Sequence, residues 1–186
     1  GELIINGISP ERVAILPPVL PDAPRPHEPL PDARSVLFVG QLVRGKGVDL
    51  LLDALASLPG EWRAEIVGEG NARSGLEAQA RRLGIGDRVR FLGWVDHAAL
   101  DPVYARARLL VVPSRWAEPF GMVGLEAMQR GRPVVAFAVG GIPDWCEDGV
   151  TGLLAPPADR AALARAVGRL LDDPDLARRL GKQGRA

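Results

Sequence analysis

Short apolar runs alternate with amphipathic segments along most of the chain. Runs of the kind found in strands buried on both faces of a sheet occur at 36–39, 63–67, 89–92, 109–112, 134–137 and 152–154. Between the first two runs, Val48, Leu51, Leu52 and Leu55 repeat with the period of a helix. Such alternation predicts an α/β fold, a Rossmann-like, doubly wound parallel sheet of about six strands with helices on both faces.

The later helices are predicted from apolar spacing and capping residues. Apolar residues line a helix that ends at Gly84, and further helices are expected over 98–107 and 121–130. Asp159 is suited to cap a helix with an apolar face, and Asp173 followed by Pro174 predicts the start of another.

The N-terminal part, residues 1–34, has a different character from the rest. A turn is predicted after Ser9 and a brief strand over 13–16, followed by seven prolines between Pro17 and Pro31. We interpret this part as an interdomain-like linker and residues 35–186 as the folded domain. Because the first residue is Gly1 rather than Met, we expect the chain to be a piece of a longer protein.

Composition narrows the classes of function. The 186 residues suit one domain, and 23 basic residues balance 23 acidic ones, so no overall positive field favours nucleic acid. Cys146 is the single cysteine, which excludes an internal disulfide and fits a reducing cytoplasm. His27 and His97 lie far apart in sequence, and we assign no metal site.

The stretch 113–130 carries the clearest candidate chemistry. Glu118 lies in a loop after a buried strand, and Gly121 opens a helix that carries Glu126. The first amides of a helix lack internal partners, and the helix dipole favours an anion at that end. Two acids beside an anion site indicate a ligand that has hydroxyl groups as well as phosphate.

The loop 40–47 follows the first long strand and precedes a helix. Gly40 permits close backbone approach, while Arg44 and Lys46 supply charged donors suited to a phosphate or diphosphate. The glycine spacing matches neither the dinucleotide fingerprint nor the Walker A loop. The alternative interpretation is a turn with solvated basic residues.

Seven sequence pieces in one order resemble the group 1 retaining glycosyltransferases of glycosyltransferase family 4, from about Ile8 to the end. The pieces are Val39-Gly40 with Lys46-Gly47-Val48-Asp49, Val67-Gly68-Glu69-Gly70, Phe91-Leu92-Gly93-Trp94-Val95, Pro113-Ser114 with Glu118-Pro119-Phe120-Gly121 and Glu126-Ala127-Met128, Gly131-Arg132-Pro133-Val134-Val135-Ala136, Gly140-Gly141-Ile142-Pro143, and Gly149-Val150-Thr151-Gly152-Leu153-Leu154. The resemblance implies one half of a GT-B architecture, namely the C-terminal domain that binds the donor.

The resemblance also implies roles for individual residues. Lys46, in the loop that starts at Gly40, would hold the diphosphate, and Glu118 would face the donor sugar. Glu126 would accept hydrogen bonds from the ribose. Backbone groups complete the implied site, with Phe120, Gly121 and Met122 at the phosphate or sugar and Gly93, Trp94 and Val95 at the base.

The same resemblance implies a set of partners. The donor would be a UDP-, GDP- or ADP-linked sugar, with no cofactor and no divalent metal. The acceptor domain would precede this domain in the same polypeptide and is absent from this chain. The resemblance implies a cytoplasmic enzyme. It is also compatible with peripheral contact between the full-length protein and the inner membrane face.

One departure from the family pattern bears on phosphate binding. Gln41 stands where the family usually has arginine, and a neutral amide cannot supply that charge. Either Arg44 substitutes from the same loop or phosphate binding is weaker. Asp144, where glutamate is common, is a smaller change.

Two other functions stay open at the level of sequence: a nucleotide-sugar epimerase of the same architecture, and a non-catalytic nucleotide-binding or interaction module.

For the remaining candidate side chains we favour structural roles. Trp94 and Trp116 are expected to pack rather than stack on a ligand, and Cys146 to be a small buried apolar residue. Met122 and Met128 are expected in the core.

Overall fold

The computed structural model describes residues 5–7, 9–12, 29–116 and 118–185. In this part of the chain six strands form one parallel sheet in the order β3-β2-β1-β4-β5-β6. The strands are β1 Ser35–Val39, β2 Arg63–Val67, β3 Val89–Gly93, β4 Leu109–Val112, β5 Val134–Phe137 and β6 Gly152–Ala155. Their positions confirm the predicted strands to within a residue at each end.

Helices connect and cover the strands. They are α1 Val48–Ala56, α2 Arg73–Arg82, α3 Asp101–Arg106, α4 Met122–Gln129, α5 Arg160–Asp172 and α6 Pro174–Arg185. The sheet grows in one direction from β1 to β3 and in the other from β4 to β6, so right-handed crossovers place their helices on opposite faces. Accordingly α1 packs against α2 and α5, and α4 packs against α6. The doubly wound α/β prediction is confirmed.

The core runs through the centre of the sheet. All four residues of β4 and all four of β5 are buried, because central parallel strands are covered on both faces. The sequences of these strands are therefore continuous apolar runs. Their burial also fixes the positions from which the loops after β1 and β4 begin.

Helix boundaries follow the predicted capping, except over 98–107. The carboxylates of Asp159 and Asp173 accept hydrogen bonds from amides in the first turns of α5 and α6, each at 2.9 Å. The helix expected over 98–107 instead divides into a 3-10 turn, His97–Ala99, and α3, because Pro102 at the start of α3 cannot continue a preceding helix. Gly121 lies just before α4 as its N-cap.

Two buried arginines tie the end of the predicted linker to the domain. The Arg108 guanidinium donates to the carbonyls of Pro31, at 3.2 Å, and Leu171, at 2.8 Å. Arg132 donates to the carbonyl of Pro29 at 3.2 Å. The predicted strand over 13–16 and the prolines up to 26 lie outside the described residues, and the division at residue 34 stays a prediction.

The turn predicted after Ser9 is a 3-10 turn, Pro10–Arg12. Among the described helices, none combines the length and apolarity needed to cross a bilayer.

Gly47 lies where the loop after β1 touches the loop after β4, which is distant in sequence. It connects the 3-10 turn Arg44–Lys46 to α1 with a φ of 68°, in the left-handed region that favours glycine. A Cβ atom at this position would lie 1.9 Å from the carbonyl oxygen of Pro113. The loop after β1 can therefore reach the loop after β4 only if residue 47 has no side chain.

We expect Gly47→Ala to destabilise the protein more than Gly84→Ala. Gly84 has a similar φ of 71° but open space around its Cβ position, so alanine there pays only the backbone cost of about 1–2 kcal/mol. The overlap at Gly47 should add about 1–3 kcal/mol. Urea unfolding of both variants measures the difference, and equal losses of unfolding free energy would show that the close approach to Pro113 is not a constraint.

Candidate functional site

The site lies where the direction of sheet growth reverses. β1 and β4 are neighbours, and the chain leaves their carboxyl ends toward opposite faces, which opens a crevice between the two loops. A cavity of about 400 Å³ occupies this crevice. It is lined by Phe38, Val39, Gly40, Gln41, Lys46, Val111, Val112, Ser114, Glu118, Pro119, Phe120, Gly121, Met122 and Val123.

Three polar side chains converge in the cavity wall. The Lys46 ammonium lies 2.6 Å from Oε2 of Glu118, and the Ser114 hydroxyl donates to the same oxygen at 2.8 Å. Glu118 and Ser114 are buried, so their polar atoms need these partners. Lys46 comes from the loop after β1 and Glu118 from the loop after β4, and the ion pair therefore spans the crevice.

Backbone contacts hold these two loops together. The Arg115 amide donates to the Gly45 carbonyl at 2.8 Å, and the Arg115 guanidinium is paired with Asp49. The Trp116 ring covers Gly45 so closely that a Cβ there would lie 2.2 Å from the ring. Lys46 is thus carried on a turn whose position depends on the 113–116 segment.

The start of α4 supplies unpartnered backbone donors to the cavity. Gly121 takes a φ of 69°, and Met122 and Val123 form the first turn, where amides have no acceptor within the helix. The Trp145 indole donates to the carbonyl of Phe120 and fixes the loop that leads into the helix. The positive end of the helix dipole therefore faces the same space as Lys46.

Glu126 lies one turn further along α4 and has a partner from another helix. The hydroxyl of Tyr104, on α3, lies 3.3 Å from Oε2 of Glu126. Tyr104 is fully buried, and that burial, followed by the charge of Glu126, raises the pKa of its phenol. The half-buried Glu126 carboxylate therefore has a protein donor.

The loop after β3 lies at the same edge of the sheet, two strands away from the cavity. The carbonyl of Gly93 accepts from the amide of Gly68 at 2.8 Å, and a Cβ at Gly68 would meet the carbonyl of Gly40. Trp94 is 77% exposed, so the expectation that it packs is wrong. Its position just after β3, where the chain turns away from the sheet, places the ring in solvent.

The structure brings together most, though not all, of the predicted site residues. Those that line the cavity are Gly40, Lys46, Glu118, Phe120, Gly121 and Met122. Glu126 and the segment 93–95 lie near the same edge but outside the cavity lining. Arg44 is exposed and outside the lining, whereas Gln41 is in it. Substitution of Arg44 for the missing charge stays a prediction.

The structure shows the surroundings of four bulky or reactive side chains whose placement was predicted from the sequence. Met122 is only half-buried and lines the cavity, so its placement in the core was wrong; the first turn of α4 faces the crevice rather than the sheet. Met128 is buried as expected. Cys146 is buried, which raises the pKa of its thiol to about 12 and leaves it unreactive. Trp116 does pack, on Gly45, although half of it remains exposed.

Sequence reasoning missed Ser114 and Tyr104. Both are the donors that hold the candidate carboxylates, and neither has a sequence spacing that marks it. Ser114 directly follows a buried strand at the sheet edge where ligands bind, which was an available signal. Tyr104 is the single tyrosine in the chain, within an otherwise ordinary helical segment, so its pairing with Glu126 required the structure.

Chemically, the cavity can bind an anion next to an acceptor of hydrogen bonds. Lys46 and the amides at the start of α4 attract negative charge, while Glu118 accepts from hydroxyl groups. Without a ligand, Lys46 is neutralised by Glu118, so an entering phosphate has to compete for the ammonium.

Comparison with known proteins gives a consistent assignment. Residues 22–186 match the family described as group 1 glycosyl transferases. A curated relative, alpha-D-kanosaminyltransferase from Streptomyces kanamyceticus, is 39% identical over 156 residues, which are 82% of this chain and 40% of the relative.

Two solved structures share both sequence and fold. Sucrose-phosphate synthase from Thermosynechococcus elongatus is 43% identical with a TM-score of 0.77, over 85% of this chain and 40% of that protein. Anabaena Alr3699/HepE, solved in complex with UDP-glucose, is 32% identical with a TM-score of 0.78, over 82% of this chain and 43% of that protein. The chain thus spans less than half the length of these relatives.

We expect Ser114→Ala to lower the free energy of unfolding by about 1–2 kcal/mol, because it removes one of two donors to the buried Glu118 carboxylate. Ser74→Ala is the matched control, since Ser74 is exposed on α2 and alanine is the better helix former. Urea unfolding measures both. A Ser114→Ala protein as stable as the control would mean that the hydroxyl contributes nothing to holding Glu118.

Proposed function

Because the chain belongs to the group 1 glycosyl transferases, we propose that the cavity between β1 and β4 binds a nucleoside-diphosphate-sugar as donor. The observation that carries the proposal is the convergence of Lys46, Glu118 and the first amides of α4 in one cavity. The Anabaena relative that holds UDP-glucose has the same fold. The chain is then the donor-binding half of a retaining GT-B transferase.

In this proposal, different residues of the site bind the diphosphate and the sugar of the donor. Lys46 and the amides of Phe120, Gly121 and Met122 take the diphosphate, which displaces the ammonium from Glu118. The released Glu118 carboxylate then accepts from hydroxyls of the donor sugar, while Ser114 keeps it in place. This exchange lets one buried carboxylate hold the phosphate-binding lysine in the empty site and the sugar in the filled one.

The remaining parts of the donor extend along the sheet edge. Glu126 accepts from the ribose hydroxyls, and the backbone of 93–95 contacts the base. Arg44, exposed in the same turn as Lys46, adds positive potential at the entrance. Gln41 contributes a neutral amide to the lining.

During transfer the bond between the anomeric carbon and the diphosphate oxygen breaks. Negative charge grows on that oxygen, and Lys46 with the helix-start amides stabilises it more in the transition state than in the ground state. Loss of one such donor typically costs about 10²–10³ in rate. The acceptor oxygen bonds to the same carbon, the departing diphosphate takes up its proton, and the configuration is retained.

The acceptor side belongs to the rest of the polypeptide. This chain spans about 40% of the length of these relatives. In the proposed enzyme, the carboxyl edge of the sheet, where the donor binds, faces a preceding acceptor domain. The isolated chain therefore binds the donor without transferring sugar to an acceptor. Transfer by this chain alone would contradict the division.

Family membership favours sugar transfer over epimerisation. The non-catalytic alternative rests on Gln41, which leaves the cavity with Lys46 as its single basic side chain among the described lining residues. Binding of the donor by this chain, lost when Lys46 is removed, distinguishes a working donor site from a degenerate one.

We expect this chain to bind UDP in calorimetric titrations and to lose about 10- to 100-fold in affinity on Lys46→Ala, since a charge-assisted hydrogen bond to phosphate disappears. Glu126→Ala should also weaken binding, through the ribose. GDP and ADP titrated in parallel identify the preferred base.

Lys182→Ala is the control, because Lys182 is exposed on α6, remote in the fold from the crevice, and its removal changes net charge equally. If none of the three nucleotides binds, or if Lys46→Ala and Lys182→Ala behave alike, the non-catalytic interaction module becomes the better account.

A further inference from the structure

The Tyr104 hydroxyl is placed between two acceptors in the interior of the domain. It lies 3.3 Å from Oε2 of Glu126 and 3.4 Å from the carbonyl oxygen of Val123. A phenol has one proton to donate, and a carboxylate is a stronger acceptor than a neutral carbonyl. The proton therefore points to Glu126.

The ring that carries this hydroxyl is held from two helices. The Arg130 guanidinium stacks over it, 4.5 Å from the ring centroid. The same guanidinium donates to Asp101 on α3, at 2.5 and 2.7 Å, and to the backbone carbonyl of Glu126 on α4, at 2.8 Å. Arg130 thus fixes the position of Tyr104 relative to the helix turn that bears Glu126.

We propose that Tyr104 is a positioning residue for Glu126, holding Oε2 so that Oε1 is presented to the ribose hydroxyls of the donor. The inference rests on the proposed function, which assigns the ribose to Glu126. A half-buried carboxylate without a protein donor would rotate among several conformers, and the ligand would have to select one of them. The Tyr104 contact removes part of that cost before the ligand arrives.

The buried phenol is suited to this task because it stays protonated. Burial and the neighbouring Glu126 charge both raise its pKa, so it remains a donor throughout the neutral range. A role in packing alone would be met equally by phenylalanine, which has the same ring and keeps the stacking with Arg130.

The test is Tyr104→Phe, titrated with UDP and with 2′,3′-dideoxyuridine diphosphate, which lacks both ribose hydroxyls. In the unaltered chain UDP should bind more tightly than the dideoxy nucleotide. Tyr104→Phe should weaken UDP binding by about 3- to 10-fold and leave dideoxy binding unchanged, because only the ribose contact depends on an oriented Glu126.

The double variant with Glu126→Ala supplies an independent measurement. In a Glu126→Ala background, Tyr104→Phe should change UDP affinity no further, since the carboxylate it positions is gone. Additive losses, or Tyr104→Phe effects of equal size on both nucleotides, would overturn the positioning role. The comparison of the two nucleotides remains valid if Tyr104→Phe lowers stability, because both affinities are measured on the same folded variant.

The outcomes separate the two hypotheses. No binding of UDP by the unaltered chain contradicts the proposed function itself. Equal binding of UDP and the dideoxy nucleotide contradicts the ribose contact and with it the role of Tyr104. Discrimination by the unaltered chain that survives intact in Tyr104→Phe contradicts the role of Tyr104 alone.

Discussion

The close approach of Gly47 to the carbonyl of Pro113 is the constraint on which the site depends. Parallel strands β1 and β4 end side by side, but their loops belong to segments more than 60 residues apart, and only a residue without a side chain lets them touch. That contact sets the turn that carries Lys46 against the segment that carries Glu118. The cavity between the two loops therefore results from backbone packing, which also places Lys46 and Glu118 in its wall.

Within that frame, charge is balanced locally. Lys46 and Glu118 neutralise each other across the crevice, and Ser114 adds a second donor to the same carboxylate oxygen. Breaking a pair whose carboxylate is buried is costly if nothing replaces the lost partner, so a ligand that offers both an anion and hydroxyl groups should open it more readily than an anion alone. This preference favours a nucleotide sugar over a simple phosphate.

Most of the fold followed from the sequence because apolar runs and helix periods are local signals. The strands and the caps Asp159 and Asp173 depend on neighbours in the chain, and they were predicted. The exposure of Met122 and Trp94 was not predicted. It depends on which face of α4 meets the crevice and on where the chain turns after β3. The pairing of Tyr104 with Glu126 joins two helices and spans 22 residues, so no spacing rule reveals it. Ser114 and Glu118 lie four residues apart in one loop, and their contact depends on how that loop folds.

If the loops after β1 and β4 form a single site for the donor's diphosphate, UDP must affect both loops in one binding event. Titrating UDP into ¹⁵N-labelled protein and following the backbone amide resonances tests this. We expect the amides of Gly40, Lys46, Gly121 and Met122 to shift together with one dissociation constant. Shifts confined to one loop, or centred on the opposite end of the sheet near Arg63, would contradict it.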